Sequence, residues 1–215
     1  MNLPCPVIVM AKAPLAGFAK TRLIPALGAQ GAALLAERLL DHAVQQALAA
    51  DLGPVDVCCA PDSQHAAFGR QILSTRVGLS HQGEGDLGAR MARAFDRWLA
   101  HAGRALLIGT DAPALDATLL RRAANALDDA DVVFIPALDG GYALVGLCRP
   151  APSLFRGMTW STSTVMARTR ERAAAAGLRL AELPAIADID EPADLVHLPD
   201  GWLPHASPIL QTVVS

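Results

Sequence analysis

The chain has 215 residues and 22.5 kDa, with 18 basic against 21 acidic side chains and a net charge of −3. A pI near 6.0 argues against the basic face of a nucleic-acid protein. Hydrophobic residues at 52% against 18% charged argue against a disordered chain. No unbroken run of about 18 apolar residues appears, so no membrane span is expected. The N-terminal stretch lacks a basic n-region and a small-residue cleavage site, so no signal peptide is expected and the reading is cytoplasmic. The length suits one α/β domain over 1–215, with 196–215 as an irregular Pro-bearing tail. The cysteines Cys5, Cys58, Cys59 and Cys148 show no CxxC or Cys/His metal spacing. They read as reduced, buried small hydrophobes.

The first apolar run, 6–10, predicts a strand. The loop behind it holds Lys12, Pro14, Gly17, Lys20, Thr21 and Arg22. The chain has 16 Arg and only 2 Lys, and both lysines stand in this loop. A lysine kept in an arginine-using chain points to a need for a compact, mobile ammonium. Cations, a Gly and a Pro after a strand form a plausible phosphate cradle. Ala19 stands where a P-loop needs Gly, and the dinucleotide fingerprint is absent. The plainer explanation is a solvated basic loop.

A helix follows over 29–50, with Leu35, Leu39 and Ala43 on one stripe. Strands are predicted at 55–60 and, more weakly, at 76–79. The next loop carries Gln82, Gly85, Asp86 and Gly88, whose glycines allow close approach to a flat ligand. Asp86 also reads as a helix cap. The helix at 86–101 aligns Leu87, Met91, Phe95 and Trp98, a core stripe rather than a cofactor box. A strand at 105–109 runs into Gly109-Thr110-Asp111-Ala112-Pro113. Asp116 is the better-placed cap for the helix carrying Leu119, Ala123 and Leu127, which frees Asp111 for a cation.

Strands at 132–136 and 142–147 flank Asp139-Gly140-Gly141-Tyr142, which also reads as a plain hairpin turn. Trp160, Ser161 and Thr162 offer an aromatic face and hydroxyls before a helix at 162–176 that ends at Gly177. A strand at 178–183 precedes Asp188-Ile189-Asp190-Glu191-Pro192. Alternate residues of extended chain share a face, so Asp188 and Asp190 can converge on one cation. A helix-capping role explains the same segment equally well. No Ser or Cys nucleophile with a paired His stands out. The alternation predicts a three-layer, Rossmann-like α/β fold with a mostly parallel sheet. Ligands of such sheets bind outside the carboxyl ends of the strands.

The motifs in order are K-A-P-x-x-G-x-x-K-T-R-L, Q-G-x-G-D-L-G-x-R-M, G-T-D-x-P-x-L, P-A-x-D-G-G-Y-x-L-x-G-L, W-S-T and D-I-D-E-P-A-D-L. The set resembles the bacterial nucleotide-diphospho-sugar transferase family with the glycosyltransferase-A fold. It is more distantly similar to 2-phospholactate guanylyltransferase and molybdenum-cofactor guanylyltransferase. The resemblance implies a metal-dependent transferase using Mg²⁺ or Mn²⁺, a nucleotide or nucleotide-sugar, and a small-molecule acceptor. Lys12, Pro14, Gly17, Lys20, Thr21 and Arg22 would meet nucleotide phosphates, with Lys20 and Asp111 catalytic. Gln82, Gly85, Asp86 and Gly88 would border base or ribose. Asp111 and Asp190, or Asp188, would hold the metal. Asp139, Gly140, Gly141, Tyr142, Trp160, Ser161 and Thr162 would face the acceptor. Many relatives read D-V-D-T-P where this chain has D-I-D-E-P, so Glu191 adds a charge beside the expected ligand. The family points to glycosyl transfer. The cationic loop and the single Asp of G-T-D-x-P favour nucleotidyl transfer with release of pyrophosphate. A non-catalytic nucleotide sensor is the alternative of another class.

Overall fold

A computed structural model describes residues 4–69 and 76–203. Seven strands form one sheet: β1 (Val7–Lys12), β2 (Val55–Ala60), β3 (Val77–His81), β4 (Ala105–Ile108), β5 (Val132–Pro136), β6 (Tyr142–Leu147) and β7 (Leu180–Glu182). Their spatial order is β3-β2-β1-β4-β6-β5-β7. All pair in parallel except β6, which runs against both β4 and β5. The short Asp139-Gly140 connection accounts for this exception. It joins β5 to β6 as a hairpin, and a hairpin can only be antiparallel.

The helices are α1 (Ile24–Ala50), α2 (Leu87–Ala102), α3 (Ala117–Ala126) and α4 (Val165–Ala175). They cover both faces of the sheet. Period-two alternation splits β1: Val7, Val9 and Ala11 pack with α1 and α3, while Ile8 packs with α2 and α4. Continuous burial of β4 and β5 follows from the same two-sided cover. Cys58 falls in one layer and Cys59 in the other.

The helix starts are set by short polar side chains. Asp86 accepts from Ala89 N, and Asp116 from Leu119 N. Each such cap contributes about 1 kcal/mol. Gly103 ends α2 in the left-handed region, and Gly177 does the same just past α4. Helix α1 begins five residues before the predicted start. Gly28, at φ 70°, ψ 166°, breaks its first turn, so the regular helix runs from residue 29 onward. The α4 helix starts at Val165 rather than 162, because Ser161 adopts φ 59° and the chain turns there. A 3-10 turn, Pro192–His197, runs into the first two residues of the expected tail, 198–203 carry no helix or strand, and residues 204–215 lie outside the described residues.

The stretch Thr21–Ala50 is long and apolar enough, by length and composition, to cross a membrane. Alanine and leucine raise its mean hydropathy, while Glu37, Arg38 and Asp41 prevent an unbroken apolar run. In the fold it buries Leu35, Leu39, Leu40 and Val44 against neighbouring elements.

All four cysteines are free, and Cys5, Cys58 and Cys59 are buried. Burial pushes the Cys5 thiol up to about 11 and the Cys59 thiol up to about 12. The thiolate is the reactive form. At pH 8 the native chain is therefore expected to label slowly with a thiol reagent at Cys5 and Cys59, and all four thiols to label rapidly after unfolding. Rapid native labelling of Cys59 would contradict the buried placement.

Candidate functional site

Strand order reverses between β1 and β4, because β1 continues to β2 on one side while the chain returns to β4 on the other. Open α/β sheets split at such a point, and the crevice lies at the carboxyl ends of the strands. A cleft of about 590 Å³ opens there. Its lining includes Arg22, Asp111, Asp139, Gly141, Tyr142, Trp160, Ser161, Thr162, Asp188 and Asp190.

Lys20 sits beneath this cleft with only 8% of its side chain exposed. Its Nζ lies 2.6 Å from Asp111 Oδ1 and 2.8 Å from Asp190 Oδ1. It also donates to the Ile189 carbonyl at 2.5 Å. Burial pulls the ammonium down, but the charges of Asp111 and Asp190 outweigh it and hold Lys20 above its ordinary value. The residue adopts φ 48°, ψ 43°, left-handed backbone that a lysine rarely takes. Gly17, at φ 81°, makes the preceding turn, in which Phe18 N donates to Leu15 O. This fold-back carries Lys20 under the strand ends. Lys12, Thr21 and Arg22 remain exposed, and Pro14 is half-buried. Arg22 Nη1 lies 3.7 Å from Glu191 Oε1.

Asp190 reaches Lys20 because the 188–192 segment is pinned on both sides. Ile189 is fully buried against Leu23, Leu35 and Leu39. Its N–H donates to Asp111 O at 2.8 Å. The Asp190 and Glu191 N–H groups both donate to Asp194 Oδ2, and Glu191 is the cap residue of the 3-10 turn. The capping function thus belongs to Glu191 and Asp194, and Asp190 is left to face Lys20. Asp188, on the other side of Ile189, lines the cleft near Asp139. Burial and the Asp139 charge push Asp188 up to about 6. Among the described residues no group of three or more His, Cys, Asp or Glu is arranged to hold a metal ion.

The glycine loop is organised from below. Gln82 is buried, and its Nε2 donates to Ala11 O and Cys58 O across the ends of β1 and β2. Asp86 serves as the α2 cap, and Gly85, exposed at φ 99°, accepts from Arg90 Nε. A side chain on Gly88 would lie 2.5 Å from Phe155 O, so its bareness lets α2 pack there. A side chain on Gly140 would lie closer still to the Ser163 backbone, and the Gly140 carbonyl accepts from Met166 N at 2.8 Å. Asp139 Oδ1 accepts from Gly141 N at 2.7 Å.

The apolar lining contains residues that sequence reasoning assigned elsewhere. Met10, Leu87, Met91 and Leu107 border the cleft. Leu87 and Met91 belong to the α2 core stripe, but Leu87, in the first turn of α2, is 43% exposed and lines the cleft. An apolar residue in the first turn behind a strand-end loop was the available signal.

Residues 30–162 match the model of a family described as "Uncharacterized protein conserved in bacteria (DUF2064)". A protein from Desulfovibrio desulfuricans G20, named as a candidate nucleotide-diphospho-sugar transferase, is 30% identical with a TM-score of 0.81. The match covers 89% of this chain and 84% of that one. A nucleotidyl transferase from Methanothermobacter is similar at 19% identity and TM-score 0.61, over 94% and 99% of the two chains. A CMP:2-keto-3-deoxy-manno-octonic acid synthetase complexed with CTP gives 11% and 0.57, over 90% and 96%. The last two share the fold. No curated protein matches the sequence.

Proposed function

The chain belongs to the DUF2064 family of bacterial proteins, and from that premise we propose that it is a transferase acting on an activated nucleotide, with glycosyl transfer from a nucleotide-sugar as its reaction. The observation that carries this reading is the convergence of Asp111 and Asp190 on Lys20 at the reversal of strand order. In this reading the exposed cations Lys12 and Arg22 meet nucleotide phosphates at the mouth. Lys20 acts from below by fixing the two carboxylates and offsetting their mutual repulsion.

The carboxylates fit a hard cation. They keep 44% and 40% of their side chains exposed. Mg²⁺ and Mn²⁺ sites of this kind use one or two carboxylates plus substrate phosphates. Asp111 and Asp190 would hold the ion, which when bound would supply positive charge to the departing phosphates.

Nucleotidyl transfer is the second reading. The loop cations and the single Asp of G-T-D-x-P favour it, and the named nucleotidyl transferases of like fold are compatible with it. Thermal shift against nucleotides and nucleotide-sugars, with and without Mn²⁺, tests the shared premise. A binder at about 100 times its Kd is expected to raise the Tm by roughly 5–10 °C. No rise with any nucleotide would overturn the premise. Product analysis then separates the readings: nucleoside diphosphate marks glycosyl transfer, and pyrophosphate marks nucleotidyl transfer.

A further inference from the structure

The two halves of the cleft differ in charge balance. On the β1/β4 side each acid has a cation beside it: Lys20 stands between Asp111 and Asp190, and Arg22 faces Glu191. On the β5/β7 side stand Asp139 and Asp188, close enough for the Asp139 charge to act on Asp188. Among the described lining residues Arg22 is the sole cation, and Glu191 is its partner. No cation in the lining therefore balances Asp139 and Asp188.

The wall of that half is aromatic. Tyr142 and Trp160 both line it and meet edge to face with centroids 6.4 Å apart. Two donors there lack good acceptors. The Tyr142 hydroxyl has a thioether partner, Met91 Sδ, at 3.9 Å. Trp160 Nε1 is buried with no hydrogen-bond partner among the described residues. Buried in this way, the N–H is closed to a ligand, and the indole offers the cleft its ring.

These features select by charge. A phosphate group placed there would meet two carboxylates with no balancing cation, and like-charge contacts exclude partners strongly. Hydroxyl groups instead donate to carboxylates, and the C–H face of a ring packs on the Trp160 indole. We propose that the acceptor is a neutral, hydroxyl-rich molecule of the polyol or sugar class, held by Asp139 and Asp188 through its hydroxyls and by Trp160 and Tyr142 through its C–H face. This rests on the transferase reading of the same cleft.

The test uses the full chain with its best-stabilising nucleotide and Mn²⁺ present. Neutral probes (glucose, methyl glucoside, myo-inositol, glycerol) are titrated against their phosphorylated counterparts and against glucosamine, read by tryptophan fluorescence and ligand-observed NMR. At least one neutral probe is expected to saturate the site, with its phosphorylated counterpart at least about tenfold weaker. In the isosteric double variant Asp139→Asn, Asp188→Asn that gap is expected to shrink, while the nucleotide-induced thermal shift persists and shows that the variant is folded. A phosphorylated probe that binds as tightly as its neutral partner overturns the proposal. So does glucosamine binding better than glucose, which would indicate a cationic acceptor. So does the failure of every neutral probe while the nucleotide binds. Failure of the nucleotide itself is a different result: it removes the transferase reading, and this proposal falls with it.

Discussion

Lys20→Met is expected to lower stability by roughly 2–3 kcal/mol and the Tm by about 5–10 °C. Methionine keeps most of the buried stem and deletes only the ammonium. What remains is a pair of carboxylates, Asp111 and Asp190, each oriented on a cation that is gone, and an Ile189 carbonyl without its donor. Breaking a fully buried pair costs about 3–5 kcal/mol. Here the acids are 44% and 40% exposed, so solvent screens part of the loss. Lys20→Arg is expected to restore less than half, because a planar guanidinium does not fit a slot in which the side chain is 8% exposed.

The pH dependence has a definite sign. Asp111 and Asp190 hold Lys20 above its ordinary value in the folded chain, against the effect of burial. Its contribution is therefore fully present below the unfolded value of about 10.4 and is lost as pH rises through the folded one. Denaturant melts of wild type and Lys20→Met should differ by a constant amount from pH 7 to 10 and converge above it. Equal stability of the two proteins at pH 7 would refute the ion triad.

The triad depends on distant chain segments. Asp111 follows β4, Lys20 follows β1, and Asp190 follows β7. The last is held by a strap whose Leu195, Leu198 and Trp202 pack with Leu23, Leu35 and Leu39. His42 connects the parts: its ring meets Trp202 at 5.0 Å between centroids, and Nε2 lies 2.9 Å from the Pro113 carbonyl in the Asp111 loop. Arg38 lies over the same indole at 5.5 Å and donates to Gly201 O. Helix α1 thus supports both carboxylate-bearing loops from one face.

This arrangement explains which parts were legible in the sequence. Strands such as Val132–Pro136 and Tyr142–Leu147 were readable because burial on both faces makes them continuous apolar runs. Caps at Asp86 and Asp116 were readable because capping is local. The antiparallel turn of β6 was open, since Asp139-Gly140 was seen both as a hairpin and as a site. The role of Lys20 beneath the cleft was not readable. A basic loop suggests phosphate contact, and only the left-handed backbone at Lys20 sends its ammonium inward to acids 91 and 170 residues away. The contacts of Gln82 were not readable for a related reason. Its amide binds strand-end carbonyls, and no local pattern announces such a partner.

Asp111→Asn should abolish Mn²⁺-dependent stabilisation by nucleotide and lower the transfer rate by roughly 100- to 1000-fold. The substitution is chosen to separate charge from shape. Asn keeps an oxygen where Oδ1 now receives Lys20 at 2.6 Å, so the contact survives as a hydrogen bond to a neutral group. It removes the anionic oxygen that a hard cation prefers. The Ile189 N–H still finds the residue's backbone carbonyl, so the strap remains docked. Fold stability without nucleotide is therefore expected to change by only about 1 kcal/mol, the scale of one charge-assisted bond made neutral. Asp190→Asn should act the same way through the other arm. Asp188→Asn should leave the Mn²⁺ effect in place, because Asp188 faces Asp139 rather than Lys20. The comparison of the three variants is informative as a set. Loss of the Mn²⁺ effect in Asp188→Asn but not in Asp111→Asn would move the metal to the acceptor half. Its loss in Asp111→Asn and Asp190→Asn alone would assign the metal to the strand-order reversal, where Lys20 already holds the two carboxylates together.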